Sequence, residues 1–277
     1  MAILTTRPRG TNDFLPAETP RWQYVERTLL STAALYGYGE IRTPTFEHTE
    51  LFQRGVGDTT DVVNKEMYTF TDKGDRSITL RPEGTAGICR AAIENGLLGD
   101  ALPLKVSYVF NCFRYEKAQR GRFREFYQAD IDIIGDGKLS ITNEAEIPSI
   151  IYKTFSTLGL RRFQIRVNNR KILNGFYAML GLSERTGDIM RTVDKLDKIG
   201  PEKVRVLLVE DCGVEEAKAD EILTFIAIRG TNGEVLSALE QYRGRNEVFD
   251  QGLDELSSVT KLLGAFGVPE ENFAVDL

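Results

Sequence analysis

The amino-acid sequence predicts an α+β fold: a mostly antiparallel sheet flanked by helices, with a separate helical module. Segments typical of hairpin strands fill the first half of the chain, and helical spacing dominates from about residue 174 onward. With 277 residues, 42% of them hydrophobic, the chain can bury a core without disulfide or metal support. Hairpins with flanking helices favour the α+β class over a doubly wound parallel sheet.

Each element of the first half follows from its local pattern. A loop rich in Gly and Pro precedes a helix whose apolar residues recur every three or four positions. Polar turns then separate the strands, and glycines end the helices. The segment Glu40–Glu47 is predicted to be a strand that enters a turn marked by Pro44. The other predicted elements are the helix Thr19–Tyr36, the strands Met67–Phe70 and Ser77–Arg81, the helix Gly84–Gly96, and the strands Lys105–Glu116 and Arg124–Ile134.

The second half is predicted to be mainly helical. A helix over Glu144–Leu158 contains Pro148, which predicts a kink or a first helical turn, and Phe163–Val167 alternates like a strand. Strand patterns are scarce beyond this point. The further predicted helices are Gly175–Leu182, Thr186–Ile199, Pro201–Glu210, Glu215–Ile228, Gly233–Tyr242 and Gln251–Phe266.

Composition excludes several classes of function. The net charge of -6 argues against a non-specific nucleic-acid or membrane-surface binder, so any nucleic-acid site is local. Three dispersed cysteines and one histidine, His48, exclude zinc-finger spacings and disfavour a Ser-His-Asp hydrolase. We therefore expect no protein-held metal and a structural or interface role for His48. Without an apolar leader or a long apolar run, we expect an intracellular protein with no membrane partner.

The strongest chemical signal is a basic hairpin between the two long strands. Its loop, Lys117–Phe123, is basic, and Arg114 and Glu116 are predicted to share one face of the incoming strand. Several guanidinium groups at a hairpin mouth suit a polyphosphate, because arginine is a planar fork that matches phosphate oxygens. A solvated, charged hairpin tip is the alternative interpretation.

The returning strand carries a row of polar residues on one face. Period-two geometry places Phe126, Gln128, Asp130 and Asp132 on that face, and Tyr127, Ala129, Ile131 and Ile133 on the other. Aspartate is a poor strand former, although on an exposed sheet face such a row would need no explanation. Beside an arginine-lined strand it predicts a floor for a zwitterion, with carboxylates for the amino group and a guanidinium for the carboxylate.

The segment Thr79–Ala86 joins a strand to a helix. Glu83 and Thr85 stand where the helix begins, and both residue types are favourable in a first turn or as a cap. A plain helix N-terminus and a functional loop are both open interpretations at this point.

Several segments stand in one order along the chain and carry a family resemblance. They are Arg9–Pro16, Tyr36 through Pro44 to Glu47, Asp61–Phe70, Leu80–Ala86 and Phe113–Gln128. Together they resemble the N-terminal signature, class II motif 1, two histidine-family segments and motif 2 of histidyl-tRNA synthetases, which are class II aminoacyl-tRNA synthetases. The resemblance implies the class II synthetase core, and it places Pro44 at a homodimer interface.

The resemblance implies an ATP site in motif 2. Arg114, the implied catalytic residue, would hold the α-phosphate of ATP together with the carboxylate of the amino acid. Arg122 would hold the outer phosphates, with Mg²⁺ bridging them. Glu116 would face the adenine and Phe126 would stack on it. Ala118 stands where proline is common in the family.

The resemblance also implies a histidine site. Glu83, Thr85 and Gln128 would bind the substrate α-amino group, and Arg114 its carboxylate. Asp132, where the family often has Glu, would take one imidazole nitrogen. The shorter side chain leaves the fine geometry of this subsite open.

The implied activity is that of a histidine–tRNA ligase, which activates histidine with ATP to histidyl-adenylate and transfers it to tRNA(His) in the cytoplasm. The implied domains are residues 1–174 as catalytic core, 175–258 as a helical insertion domain near the tRNA acceptor end, and 259–277 as a return into the core. No segment of the 277 residues resembles motif 3 or the anticodon-binding domain. We therefore expect a truncated core with impaired activity.

Two other functions stay open. A non-catalytic paralogue would act as a regulatory subunit of ATP phosphoribosyltransferase, although such paralogues tend to lose the motif 2 charges that stand here. A fragment that only dimerises through motif 1 is the other possibility. A basic group at the entrance of the helical module could touch tRNA phosphates or form a solvated face: Arg161, Arg162, Arg166, Arg170 and Lys171.

Overall fold

The chain forms two compact units in the computed structural model, which describes residues 5–56, 66–99, 101–135, 137 and 139–277. Residues 1–139 with 153–159 form one unit, called the sheet unit here, and residues 140–152 with 160–277 form the other, the helical unit. The three-part division at residues 174 and 258 stays a prediction. Part of one predicted motif, Asp61–Lys65, lies outside the described residues.

The sheet unit alternates short helices and strands. Its elements in chain order are α1 (Thr19–Leu35), β1 (Gly39–Glu40), β2 (Phe46–His48), α2 (Thr49–Val56), β3 (Thr69–Thr71), β4 (Ser77–Leu80), α3 (Thr85–Glu94), β5 (Leu104–Phe113) and β6 (Glu125–Ile134). One sheet has the strand order β1-β5-β6, in which β1 is parallel to β5 and β5 is antiparallel to β6. The other is antiparallel, in the order β2-β4-β3. The predicted α+β architecture with mostly antiparallel pairing is confirmed.

The hairpin of β3 and β4 forms where it was predicted, because Asp72 builds its turn. The Asp72 carboxylate accepts the backbone N–H groups of Gly74 at 2.8 Å and Arg76 at 3.0 Å, and the Arg76 guanidinium at 2.8 Å. These hydrogen bonds, that of the Arg76 backbone first, lower the pKa of Asp72 to about 2.

Two predicted strands have different bounds in the structure. In Glu40–Glu47, predicted as a strand that enters a turn marked by Pro44, β1 ends already at Glu40. The chain continues after Pro44 as β2 in the other sheet, since proline has no N–H for a ladder. The first long strand ends at Phe113, so Arg114 and Glu116 lie beyond it. The chain leaves the sheet there, because the Tyr115 N–H donates to the Glu66 carbonyl at 2.6 Å instead of to β6.

The helical unit follows the predicted helical pattern closely. Its elements are α4 (Ile141–Thr157, shared with the sheet unit), β7 (Ile165–Val167), α5 (Arg170–Met179), α6 (Thr186–Val193), α7 (Leu196–Ile199), α8 (Pro201–Glu210), α9 (Glu216–Ile226), α10 (Asn232–Glu240), α11 (Glu247–Ala265) and β8 (Phe273–Val275). Pro148 lies inside α4, well after its first turn. Among the described residues, no helix combines the length and apolar character needed to cross a membrane.

The core of the helical unit is built by close helix packing. A Cβ atom at Gly175 of α5 would lie 2.5 Å from the backbone nitrogen of Phe249, so only glycine lets α5 and α11 approach this closely. Phe176 stacks on Phe225 with the ring centroids 3.9 Å apart. Both rings are buried within one large apolar cluster.

One strand of the helical unit escaped the prediction. β8 pairs in parallel with β7 over three residues, too few to show an alternating pattern. The buried Asn232 side chain accepts from the Val275 N–H at 2.8 Å.

In the predicted basic group, Arg166 pairs with Asp276 at 3.1 Å and Lys171 with Glu255 at 2.6 Å. These two side chains form ion pairs within their own unit.

Candidate active site

The polar row on β6 lies beside a row of buried side chains on β5. The register sets Gln128 opposite Phe110, Asp130 opposite Tyr108 and Asp132 opposite Val106. The β5 residues pack with Ile88 of α3 in the small core of the sheet unit, whose buried members are Ile88, Val106, Tyr108, Phe110 and Cys112. On the other face of β6, Tyr127 contacts Phe14 and Trp22. The strand alternates as its period-two pattern predicted.

Asp130 is the centre of a hydrogen-bond network on this floor. Its Oδ2 atom accepts from the Tyr108 hydroxyl at 3.2 Å and from the Gln128 Nε2 atom at 3.0 Å. Its Oδ1 atom accepts from the Ile131 N–H at 2.9 Å. The Cys112 thiol donates to Gln128 Oε1 at 3.3 Å, which leaves the amide nitrogen facing Asp130. Asp130 stood in the predicted polar row but received no role, and Tyr108 was not singled out.

The turn before α3 faces the same floor. The Glu83 carboxylate accepts from the N–H groups of Thr85 at 2.7 Å and Ala86 at 2.9 Å, so Glu83 stabilises the start of α3. The Thr85 hydroxyl donates to Asp132 Oδ1 at 3.3 Å. A Cβ atom at Gly84 would lie 2.3 Å from the Tyr108 ring, so glycine is needed between them. The turn is a helix N-terminus and a wall of the polar floor at once.

Asp132 is a half-buried carboxylate of the floor. Its Oδ2 atom is buried and has no hydrogen-bond partner among the described residues. Burial, followed by the neighbouring Asp130 charge, raises the pKa of Asp132 to about 6, against the lowering effect of the Thr85 hydrogen bond. A carboxylate in this state favours a ligand that supplies an N–H group.

Arg114 leaves β5 and turns back over the floor. Its Nε atom donates to the Pro82 carbonyl at 2.8 Å, and its guanidinium lies 5.2 Å from the centre of the Phe126 ring. The side chain therefore lies between the turn before α3 and the start of β6. This contact brings the predicted residue Arg114 next to Glu83, because Pro82 and Glu83 are consecutive.

The basic hairpin tip has its own internal contacts. Arg122 Nη1 pairs with Glu116 Oε2 at 3.1 Å. The Arg124 guanidinium lies 4.1 Å from the centre of the Tyr115 ring, and its backbone N–H donates to the Gly10 carbonyl at 2.7 Å. The N-terminal segment thus contacts the hairpin base, a contact that sequence reasoning missed.

A pocket opens between α2 and α3, next to the turn that precedes α3. Its volume is about 730 Å³, and Glu83, Thr85, Cys89 and Arg90 are among its lining residues. No group of three or more His, Cys, Asp or Glu side chains in the described part of the chain is arranged to hold a metal ion.

Pro44 and His48, the predicted interface candidates, are both exposed, and the Pro44 carbonyl accepts from Arg81 at 3.4 Å.

Comparison with known proteins places this architecture among the class II aminoacyl-tRNA synthetases. The crystal structure of histidyl-tRNA synthetase from Nostoc sp. PCC 7120 matches with a TM-score of 0.86 and 31% identity, over 100% of this chain and 62% of that chain. The family profile of histidyl-tRNA synthetase matches residues 10–277. The chain therefore belongs to the histidyl-tRNA synthetase family.

Curated relatives agree with this assignment. A histidine–tRNA ligase of Clostridium tetani is 40% identical over 270 residues, which is 97% of this chain and 60% of the relative. One of Desulfitobacterium hafniense is 53% identical over 163 residues, 59% of this chain and 38% of the relative. An ATP phosphoribosyltransferase regulatory subunit/histidyl-tRNA synthetase from Bacillus halodurans C, 23% identical with a TM-score of 0.80 over 100% of this chain and 69% of that chain, shares the fold.

Proposed function

We propose that this chain provides the histidine-activating site of a histidine–tRNA ligase. The observation that carries the proposal is the Asp132 carboxylate. One of its oxygens accepts from Thr85, and the other is buried with no donor in the described part of the chain. The imidazole ring of histidine offers an N–H group for that oxygen. The family membership and the polar floor around Asp132 support histidine as the amino acid.

The α-amino group of the substrate is proposed to lie near Glu83, Thr85 and Gln128. Glu83 adds negative charge at the edge of the floor, and Gln128 is held in place by Cys112 and Asp130. An ammonium group between carboxylate and amide oxygens makes charge-assisted hydrogen bonds. The substrate carboxylate would then point towards Arg114.

The ATP site is proposed to lie at the hairpin. Because Pro82 occupies Arg114 Nε, the two terminal nitrogens of Arg114 are assigned to the α-phosphate and the substrate carboxylate. Phe126, beneath the Arg114 guanidinium, would stack on adenine, with Glu116 facing its edge. Arg122 would exchange its contact with Glu116 for the outer phosphates.

Activation requires only that the reactants be positioned and their charge neutralised. An oxygen of the histidine carboxylate attacks the α-phosphorus, the bond to the bridging oxygen breaks, and pyrophosphate leaves with the electron pair. A terminal ribose hydroxyl of tRNA(His) then attacks the carbonyl carbon of the mixed anhydride, histidyl-adenylate; the bond from that carbon to the phosphate oxygen breaks, AMP leaves with the electron pair, and the hydroxyl loses its proton. No protein nucleophile takes part, so Arg114 acts by electrostatic stabilisation. Mg²⁺ is proposed to arrive with ATP, since it commonly binds substrate phosphates.

The wider assembly is also a proposal. A homodimer would form around exposed Pro44, and residues 175–258 would act as an insertion domain near the tRNA acceptor end. Residues 1–174 and 259–277 would belong to the catalytic core, in a cytoplasmic enzyme. Family membership supports this arrangement.

Histidine-dependent exchange of pyrophosphate into ATP tests the activity. Exchange with histidine and not with other amino acids is expected, and Arg114→Ala should lower it by about 10²–10³-fold because one charge-stabilising group is lost. Arg76→Ala, in the turn of β3 and β4, is the matched arginine control and should leave exchange unchanged. Absence of both exchange and histidine binding by calorimetry would refute the proposal.

A regulatory subunit of ATP phosphoribosyltransferase is the second candidate. The fold likeness to the Bacillus halodurans protein favours it, although Arg114, Glu116, Arg122 and Gln128 all stand in this chain. The same two measurements discriminate the candidates. Histidine binding without any pyrophosphate exchange would favour the regulatory subunit.

A further inference from the structure

Arg81 is the most deeply buried charged side chain around the floor, with 5% of its surface exposed. Its guanidinium lies 3.7 Å from the centre of the Phe110 ring. Such a buried cation is costly unless its hydrogen bonds are satisfied. Its position directly before Pro82 links it to the residue that holds Arg114.

The Arg81 side chain joins two separate segments through oxygen acceptors. Nε donates to the Asn111 carbonyl at 2.6 Å and Nη2 to the Asn111 side-chain oxygen at 2.9 Å. Nη1 donates to the carbonyls of Thr43 at 3.0 Å and Pro44 at 3.4 Å. The planar fork of the guanidinium therefore fixes the loop around Pro44 against the end of β5.

The Arg81 main chain extends this link to Arg114. Its N–H donates to the Thr45 carbonyl at 2.9 Å, and its carbonyl accepts from Phe113, the residue before Arg114, at 2.9 Å. The next carbonyl, that of Pro82, accepts from Arg114 Nε at 2.8 Å. Both the backbone and the side chain of Arg114 thus depend on the position of Arg81 and its neighbour.

We propose that Arg81 is the positioning residue for Arg114. It touches no reacting atom in this scheme. It holds the Arg81–Pro82 segment between the Pro44 loop and β5, so that the Pro82 carbonyl orients the Arg114 fork towards its ligands. Only the consequence for catalysis rests on the proposed function, because the contacts themselves exist without ligand.

The test reads the Arg114 hydrogen bond directly, in the ligand-free 277-residue chain. Nitrogen-15 NMR resolves arginine Nε–H groups, and the Arg114 signal is identified by its loss in Arg114→Lys. In the wild type, hydrogen exchange at Arg114 Nε should be about tenfold slower than at Arg120, on the exposed hairpin tip, because a hydrogen-bonded proton is protected. In Arg81→Lys this protection should fall to within about threefold of Arg120, because a lysine ammonium cannot span both sets of acceptors.

The controls separate positioning from general loosening. Arg185 also donates to main-chain carbonyls, those of Cys212 and Gly213, but in the helical unit. Arg185→Lys should leave hydrogen exchange at Arg114 Nε unchanged. If Arg185→Lys lowered the protection of Arg114 Nε as much as Arg81→Lys does, the proposal would be overturned. Unchanged Arg114 protection in a folded Arg81→Lys protein would overturn it as well.

A milder variant decides the matter if Arg81→Lys does not fold. Asn111→Ala removes one acceptor of Arg81 and keeps the guanidinium. Arg114 protection should then fall by about threefold, and no change would refute the proposal. The outcome is independent of enzyme activity. Wild-type protein with neither pyrophosphate exchange nor histidine binding would refute the proposed function, whereas intact Arg114 protection in these variants would refute the positioning role.

Discussion

The two units bury different kinds of side chain. The core of the helical unit is large and apolar, with stacked and edge-on aromatic rings around Phe225. The core of the sheet unit is small, and beside it lie a buried guanidinium, Arg81, and a buried carboxylate oxygen of Asp132. The helical unit is organised by packing, whereas the sheet unit is organised by hydrogen bonds that hold charged groups near the proposed ligand site. Substitutions in the two units should therefore have different signatures.

The largest expected effect is on packing in the helical unit. Phe225→Ala should lower the free energy of unfolding by about 3–5 kcal/mol, because a fully buried ring is replaced by a cavity. Urea unfolding followed by circular dichroism at the helix band measures it. Phe266→Ala, which truncates a ring that is 38% exposed, is the matched control and should cost much less.

The single tryptophan allows the same experiment to test the contrast. Trp22 lies in α1 of the sheet unit, so its fluorescence reports on that unit. In Phe225→Ala the circular dichroism transition should move to lower urea than the Trp22 transition. Equal shifts of both transitions would contradict the idea that the two cores are stabilised separately.

A smaller effect is expected at Asp132, where stability and binding should change in opposite directions. Its folded-state pKa, about 6, lies above the ordinary value of 3.8, so the ionised form is disfavoured in the folded protein. That penalty is absent below about pH 4, grows as the pH rises, and is complete above about pH 6. Asp132→Asn should therefore be more stable than the wild type by about 1 kcal/mol at neutral pH, allowing for solvent screening, and equal to it in acid.

Asp72 supplies a control of opposite sign. Its folded-state pKa, about 2, lies below the ordinary value, so the ionised group stabilises the fold above about pH 4 and that contribution is lost in stronger acid. Asp72→Asn should lose stability at neutral pH. Chemical unfolding at several pH values measures the free energy of unfolding of both variants. Calorimetry should show that Asp132→Asn alone loses histidine affinity. A parallel pH trend in the two variants would contradict the assignment.

The sequence could predict the polar row on β6 because alternation along a strand depends only on local geometry. Gln128 and Asp132 lie on the predicted face together with Phe126, and α3 begins just after Glu83 as the turn pattern indicated. The residue roles at this site stay proposals. The position of Arg114 beyond β5 could not be predicted, because it depends on a hydrogen bond between Tyr115 and Glu66, which are distant in sequence.

The roles of Arg81 and Asp130 could not be predicted either, because their hydrogen-bond partners are distant in sequence. An arginine at the end of a strand looks like an exposed charge, and nothing local shows that the carbonyls of Thr43 and Pro44 meet it. Asp130 likewise gains its donor Tyr108 only when β5 and β6 pair. The strand β8 was missed because its three residues are too few to show an alternating pattern and because its partner β7 is more than a hundred residues away.

The smallest expected effect compares the two units most directly. The same kind of substitution, Tyr→Phe, should change the free energy of unfolding in opposite directions in the two units. The Tyr177 hydroxyl in the helical unit is buried and has no hydrogen-bond partner among the described residues, and burial raises its pKa. Tyr177→Phe should raise the free energy of unfolding by about 0.5–1 kcal/mol, because an unsatisfied polar group is removed. Tyr108→Phe in the sheet unit removes a donor to Asp130 and should lower it by about 1 kcal/mol. Urea unfolding of both variants measures the signs, and equal signs would show that the hydroxyl environments do not differ as the structure indicates.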